Sequence, residues 1–159
     1  MKINIGLDFK NREGVVDILN TLLSDEYVLH TKTRNYHWNV VGMQFNDLHK
    51  FFDAQYEALN EVVDQVAERA RSLGGKSLGS LKEFLANARI KESVGQNLDA
   101  ETMLSNLLAD HEAIIQSLRK DLETCSNKFH EQGTTDFLTG RMEEHEKMAW
   151  MLRSFLENK

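Results

Sequence analysis

The chain has 159 residues and a mass of 18.3 kDa, with 41% hydrophobic and 28% charged residues. That predicts one globular domain spanning residues 1–159 and excludes a disordered chain. The net charge of −6 argues against a protein that binds nucleic acid with its whole surface, which needs excess Lys and Arg. The single cysteine, Cys125, excludes an internal disulfide and any multi-cysteine metal site. No apolar run approaches the roughly 20 residues of a membrane span, and Met1 to Gly6 lack the apolar stretch of a signal peptide. A cytoplasmic protein without membrane attachment is therefore expected.

Proline is absent, where about eight would be usual at ~5%, so the main helix breaker is missing. Apolar residues recur at helical spacing almost throughout. The first periodic segment runs from about Glu13 to Asn39, with Val15, Ile18, Leu19, Leu22, Leu23, Tyr27, Leu29 and Tyr36 on its apolar side. A break follows at Val41-Gly42. The second runs from about Asn46 to Leu73 and stops at Gly74-Gly75, a good helix terminator. Ser80-Leu81-Lys82-Glu83 fits a capping box and opens a short helix to Asn87. A polar loop from Lys91 to Asn97 precedes the third long segment, which starts near Asp99 and carries Leu104, Leu107, Leu108, Ile114, Ile115, Leu118 and Leu122. Gly133-Thr134-Thr135 introduces the last, with Phe137, Leu138, Met142, Ala149, Leu152 and Phe155. Four long helices, with a link of about 25 residues between the second and third, predict an all-α four-helix bundle with a crossover and a short extra helix inside it.

The second helix separates its residues sharply. With Asp53 at zero and about 100° per residue, Glu57 falls at about 40°, Glu61 at about 80°, Asp64 at about 20°, Glu68 at about 60° and His49 at about −40°. Leu48, Phe52, Tyr56, Leu59, Val63, Val66 and Ala70 take the opposite side, the expected core face. An acidic stripe is most simply a solvated face. Yet like charges at i,i+4 repel by a few tenths of a kcal/mol per pair, and a bound cation would relieve them. His49 with Asp53, and Asp64 with Glu68, each stand at i,i+4 and can grip one ion from a single face. His37 precedes the Gly42 turn, so a hairpin brings it towards His49. Imidazole and carboxylate without thiolate suit iron, manganese or zinc.

The two pairs lie 15 residues apart, about 22 Å along one helix, and cannot share an ion within a chain. They could share it across a two-fold axis, where each His-Asp end meets the partner's Asp-Glu end, giving two equivalent sites per dimer. The within-bundle di-iron design needs Glu-x-x-His. The residues three before the six histidines are Tyr27, Arg34, Asn46, Leu108, Asn127 and Met142, none of them glutamate.

The run Asn35-Tyr36-His37-Trp38-Asn39-Val40-Val41-Gly42, followed by Phe45, Leu48-His49, Asp53 and Asp64-Gln65-Val66-Ala67-Glu68-Arg69 before Gly74-Gly75, resembles the Dps family (DNA-binding proteins from starved cells), which are mini-ferritins. The likeness extends to His145-Glu146-Lys147, Trp150 and Leu152. It implies a homo-oligomeric shell of twelve subunits with ferroxidase sites at the two-fold interfaces, His37, His49 and Asp53 from one subunit and Asp64 and Glu68 from its partner. It further implies oxidation of Fe(II), by hydrogen peroxide in preference to dioxygen, with Fe(III) mineral stored inside; zinc, which suits the same donor types, is the candidate competitor. By the same resemblance Glu57 and Glu61 would line the cavity, and Asp136 would stand at a pore through which iron enters. Surface acids, and an acid favoured by a helix N-terminus, are the plain alternatives.

Tyr36 and Trp38 are read as core flanking His37, with quenching of oxidising equivalents a second role for Trp38. Cys125 and the six methionines are read as core filler, and His30, His111, His130 and His145 as structural or surface residues. Family members that bind DNA directly carry a Lys/Arg-rich tail. Here Lys2, Lys10 and Arg12 are balanced by Asp8, Glu13 and Asp17, and the chain ends Glu157-Asn158-Lys159. Twelve copies at −6 would carry about −72, which repels a polyanion. The alternative function is a DNA-binding or structural shell with little ferroxidase activity.

Overall fold

The computed structural model describes residues 3–157; Met1, Lys2, Asn158 and Lys159, and the readings placed on them, lie outside the described residues. The elements are α1 (Phe9–Asn39), α2 (Phe45–Ser72), α3 (Leu81–Asn87), α4 (Ala100–Asn127) and α5 (Gln132–Leu156), with no strand among the described residues. The all-α bundle with a short helix in the middle connection is thus what forms. α1 pairs with α2 and α4 with α5 as two hairpins, while α3 lies against α1. None of these helices is long and apolar enough to cross a membrane.

Four of the five helix starts are explained by a side chain that satisfies an orphan amide, while α2 starts at Gln44 without one. Asp8 accepts from the Asn11 amide at 2.8 Å, Asp99 from Thr102 at 2.7 Å, and Glu131 from Thr134. Ser80 and Glu83 form the expected capping box. α1 begins four residues before the predicted Glu13. Its first turn carries Phe9, which is exposed, so no apolar period marks it, and the signal was the Asp8 cap. α2 ends in a Schellman arrangement, with Gly75 N–H donating to the Ala70 carbonyl and Gly74 N–H to Arg71. Gly74 sits at φ +82, a backbone conformation that favours glycine.

Leu19, Leu22 and Leu29 of α1, Leu48, Phe52 and Leu59 of α2, Leu107, Ile114 and Leu118 of α4, and Leu138 and Leu152 of α5 fill one continuous core. On α2 the expected core face is buried at Leu48, Phe52, Leu59, Val66 and Ala70, whereas Tyr56 and Val63 are only half-buried and Gln55 and Val62 are buried instead. Tyr36 is core but Trp38 is not: it is 63% exposed, with the Arg34 guanidinium 5.0 Å from its ring. Cys125 and Met103 are core, and Met142 and Met148 pack against it, while Met43 and Met151 are exposed.

The interior also holds charge. Asp25 of α1 is fully buried and accepts from the Arg89 amide (2.5 Å) and Nε (2.7 Å), while Arg89 Nη1 reaches Asp121 of α4 at 2.9 Å. This pins the segment after α3 to both hairpins. Lys32 meets Asp110 at 2.5 Å. His145 Nε2 lies 2.8 Å from Glu26 Oε1, and its Nδ1 2.8 Å from His111 Nδ1, with all three residues buried.

Candidate metal centre

α1 ends and α2 begins around a short turn in which Gly42 takes φ +114, a conformation that favours glycine. The turn lays His37 over His49, their rings stacked 3.8 Å apart at 20°. His37 lies in the last turn of α1, so its carbonyl has no amide partner within the helix. His49 Nδ1 fills that need at 2.9 Å, and His37 Nδ1 reaches the His49 carbonyl at 2.8 Å.

A carbonyl only accepts, so both Nδ1 atoms carry hydrogen. In the neutral imidazoles both Nε2 atoms are then left with a free lone pair, the form that ligates a metal. His37 Nε2 faces Asp53 Oδ1 across 3.8 Å. A neutral imidazole nitrogen and an anionic carboxylate oxygen this close would both donate to one divalent cation. The residues present therefore suit a divalent cation. Phe45 stacks on His49 with centroids 5.1 Å apart and completes the wall.

Asp53 is held by a residue that the periodicity assigned to the core. Tyr56 donates its hydroxyl to Asp53 Oδ1 at 2.7 Å, and this carboxylate keeps the phenol proton on, raising its pKa above the ordinary value. The i,i+3 spacing was the available signal, since residues three apart on a helix are neighbours. His30 lies half-buried between Tyr27 and Tyr56, where burial and then the Arg34 charge lower its pKa, favouring the neutral ring.

Asp64 and Glu68 stand exposed farther along the same helix, and Glu57, Glu61 and Asp136 are exposed as well. The structure thus gathers His37, His49 and Asp53 and leaves Asp64 and Glu68 apart from them. Among the described residues of the chain, no three His, Cys, Asp or Glu side chains form a group that could hold a metal ion. The groove between α2 and α5, lined by Phe51, Ala58, Val62 and Met148 with Glu61 and Arg141 at its rim, is about 460 Å³ and holds none of the predicted ligands.

A ferritin-like domain model matches residues 16–159. An uncharacterized low temperature-induced protein of Nostoc sp. is 50% identical over 98% of this chain and 87% of its own. DNA protection during starvation protein 2 of Bacillus anthracis is 39% identical over 89% and 96%. Among solved structures, the Dps protein of Vibrio cholerae, described as a member of a broad superfamily of ferritin-like diiron-carboxylate proteins, superposes with a TM-score of 0.91 at 30% identity, covering 99% of this chain and 98% of that one. The helical bundle, the run from Asn35 to Gly75 and these likenesses agree: the chain belongs to the Dps family of ferritin-like proteins.

Proposed function

We propose that the protein is a ferroxidase that takes Fe(II) as substrate, uses it to consume hydrogen peroxide, and stores the resulting Fe(III) as mineral in a hollow shell of twelve copies. The observation that carries this reading is the pair of reciprocal imidazole-to-carbonyl bonds, which fix both rings through Nδ1 and leave both Nε2 atoms free, that of His37 facing Asp53. Such pre-orientation removes the cost of ordering ligands at the moment of binding.

The cage is completed by a second copy. His37, His49 and Asp53 of one subunit face Asp64 and Glu68 of the other, as the two-fold reciprocity of a homodimer requires. Anionic oxygen donors favour the higher charge of Fe(III), and a small ligand set leaves positions open for the oxidant. Two ferrous ions give one electron each. Peroxide takes both, its O–O bond breaks, and with two protons it leaves as two waters, so no hydroxyl radical is released. Exposed Glu57 and Glu61 on the same helix would offer oxygen ligands to the mineral.

Complementation tests the shared cage. Asp53→Asn impairs one half and Asp64→Asn with Glu68→Gln impairs the other. Each variant alone, loaded anaerobically with Fe(II) and given peroxide, should oxidise iron at least tenfold more slowly than wild type. Co-expressed, the two should regain part of the wild-type rate, because each mixed dimer contains one intact cage. Additive, unrescued rates would end the proposal, as would wild-type rates in either variant.

A further inference from the structure

We propose that Tyr56 is a positioning residue for ferrous ion, its hydroxyl holding Asp53 Oδ1 toward His37 Nε2 so that the half-site on one chain is aligned before it is filled. The inference rests on the reading of His37, His49 and Asp53 as ligands. The Asp53 side chain is 51% exposed, and a short carboxylate in that setting is free to change rotamer. Among the described residues one side-chain hydrogen bond restrains it, the 2.7 Å bond from Tyr56. The oxygen that accepts this bond is the same Oδ1 that faces His37 Nε2 at 3.8 Å.

The phenol is itself fixed. Its ring meets His37 edge-on (centroids 5.2 Å, 71°) and His30 edge-on (5.9 Å, 84°), and the Arg34 guanidinium lies 5.8 Å from its centroid. All three contacts come from α1. The packing of α1 on α2 therefore sets the hydroxyl, the hydroxyl sets the carboxylate, and the carboxylate is aligned with an imidazole that is locked by its own backbone bond. A carboxylate oxygen has lone pairs for both a hydroxyl and an ion, so Tyr56 directs Asp53 without competing for it.

The test uses zinc alone as the probe, with the full-length protein as assembled. Tyr56→Phe keeps the ring and its contacts and removes only the oxygen. Zinc titrated by calorimetry should bind the Phe variant about tenfold more weakly, the range seen when a ligand's hydrogen-bond partner is removed. Zinc should also perturb the near-ultraviolet tyrosine absorption of the wild type and not of the variant, because the hydroxyl's acceptor becomes a ligand. A structural role would not move that signal. Equal affinities with no tyrosine perturbation overturn the role of Tyr56. Zinc binding that survives both Asp53→Asn and Asp64→Asn with Glu68→Gln overturns the site itself, and the inference with it.

Discussion

At the scale of single residues, burial decides which groups are chemically available. The Cys125 thiol is pushed up to about 12 by burial first, with the Asp121 and Glu131 charges adding to it. The thiolate is the reactive form, so Cys125 should resist a thiol reagent at neutral pH and react at once in denaturant, as a thiol titration would read. His145 presents the opposite case, a buried polar group whose partners matter more than its volume. His145→Ala would strand Glu26 in the core, and a loss of about 3–5 kcal/mol in denaturant unfolding is expected. His111 is kept neutral, its pKa lowered well below the usual value by burial and then by its neighbour His145. The core place of Cys125 was legible in the sequence, but these polar pairings were not, because Glu26 and His145 are 119 positions apart and Asp25 and Arg89 are 64 apart. The ligand candidates were legible because His49, Asp53, Asp64 and Glu68 sit on one helix, whose regular geometry relates them directly. Tyr56 was misplaced for the same reason: periodicity gives a direction around the axis and says nothing of where a long side chain ends.

At the scale of elements, the Ser80–Glu83 capping box was readable in the sequence, and the charge within the Glu131 cap is testable. Burial acts to raise the Glu131 carboxyl, but the bonds from Thr134 and the Arg69 guanidinium carry it below its usual 4.5. A folded value below the unfolded one means stability that is complete above about 4.5 and is lost as the pH falls through the folded value. Glu131→Gln keeps an oxygen for the Thr134 amide and discards the charge. It should therefore be less stable than wild type at pH 7, the gap narrowing as acid is added below about 4.5, in urea melts across that range. The helix count, the crossover and the stop at Gly74-Gly75 followed from spacing and turn residues. The start of α1 did not, because its first turn shows solvent an aromatic ring and hides nothing. Trp38 departed from expectation through the same ambiguity: an apolar side chain at the end of a helix can face the core or the outside, and neighbouring residues in sequence do not choose between them.

At the scale of the whole molecule, charge sets which partners are tolerated. With −6 on each chain and Lys10 and Arg12 matched by Asp8, Glu13 and Asp17, net charge opposes long-range attraction to a polyanion. No retarded complex with linear duplex DNA is expected in a gel shift at low salt, where any electrostatic affinity would be greatest. Tight, salt-sensitive retardation would favour the nucleic-acid-protecting alternative. The bundle itself was the most legible property of the sequence, because it depends on a repeated pattern summed over four long segments, and single misplacements average out.

The crossed bonds between His37 and His49 tie the ends of two helices together through the very rings that are candidates to grip iron. Rivet and claw are one object there. Removing either imidazole loosens the hairpin as well as the ligand sphere, so a lost activity in such a variant has two authors. Exposed Asp64 and Glu68, which make no hydrogen bond or ion pair among the described residues, are the cleaner places to ask what the chemistry needs.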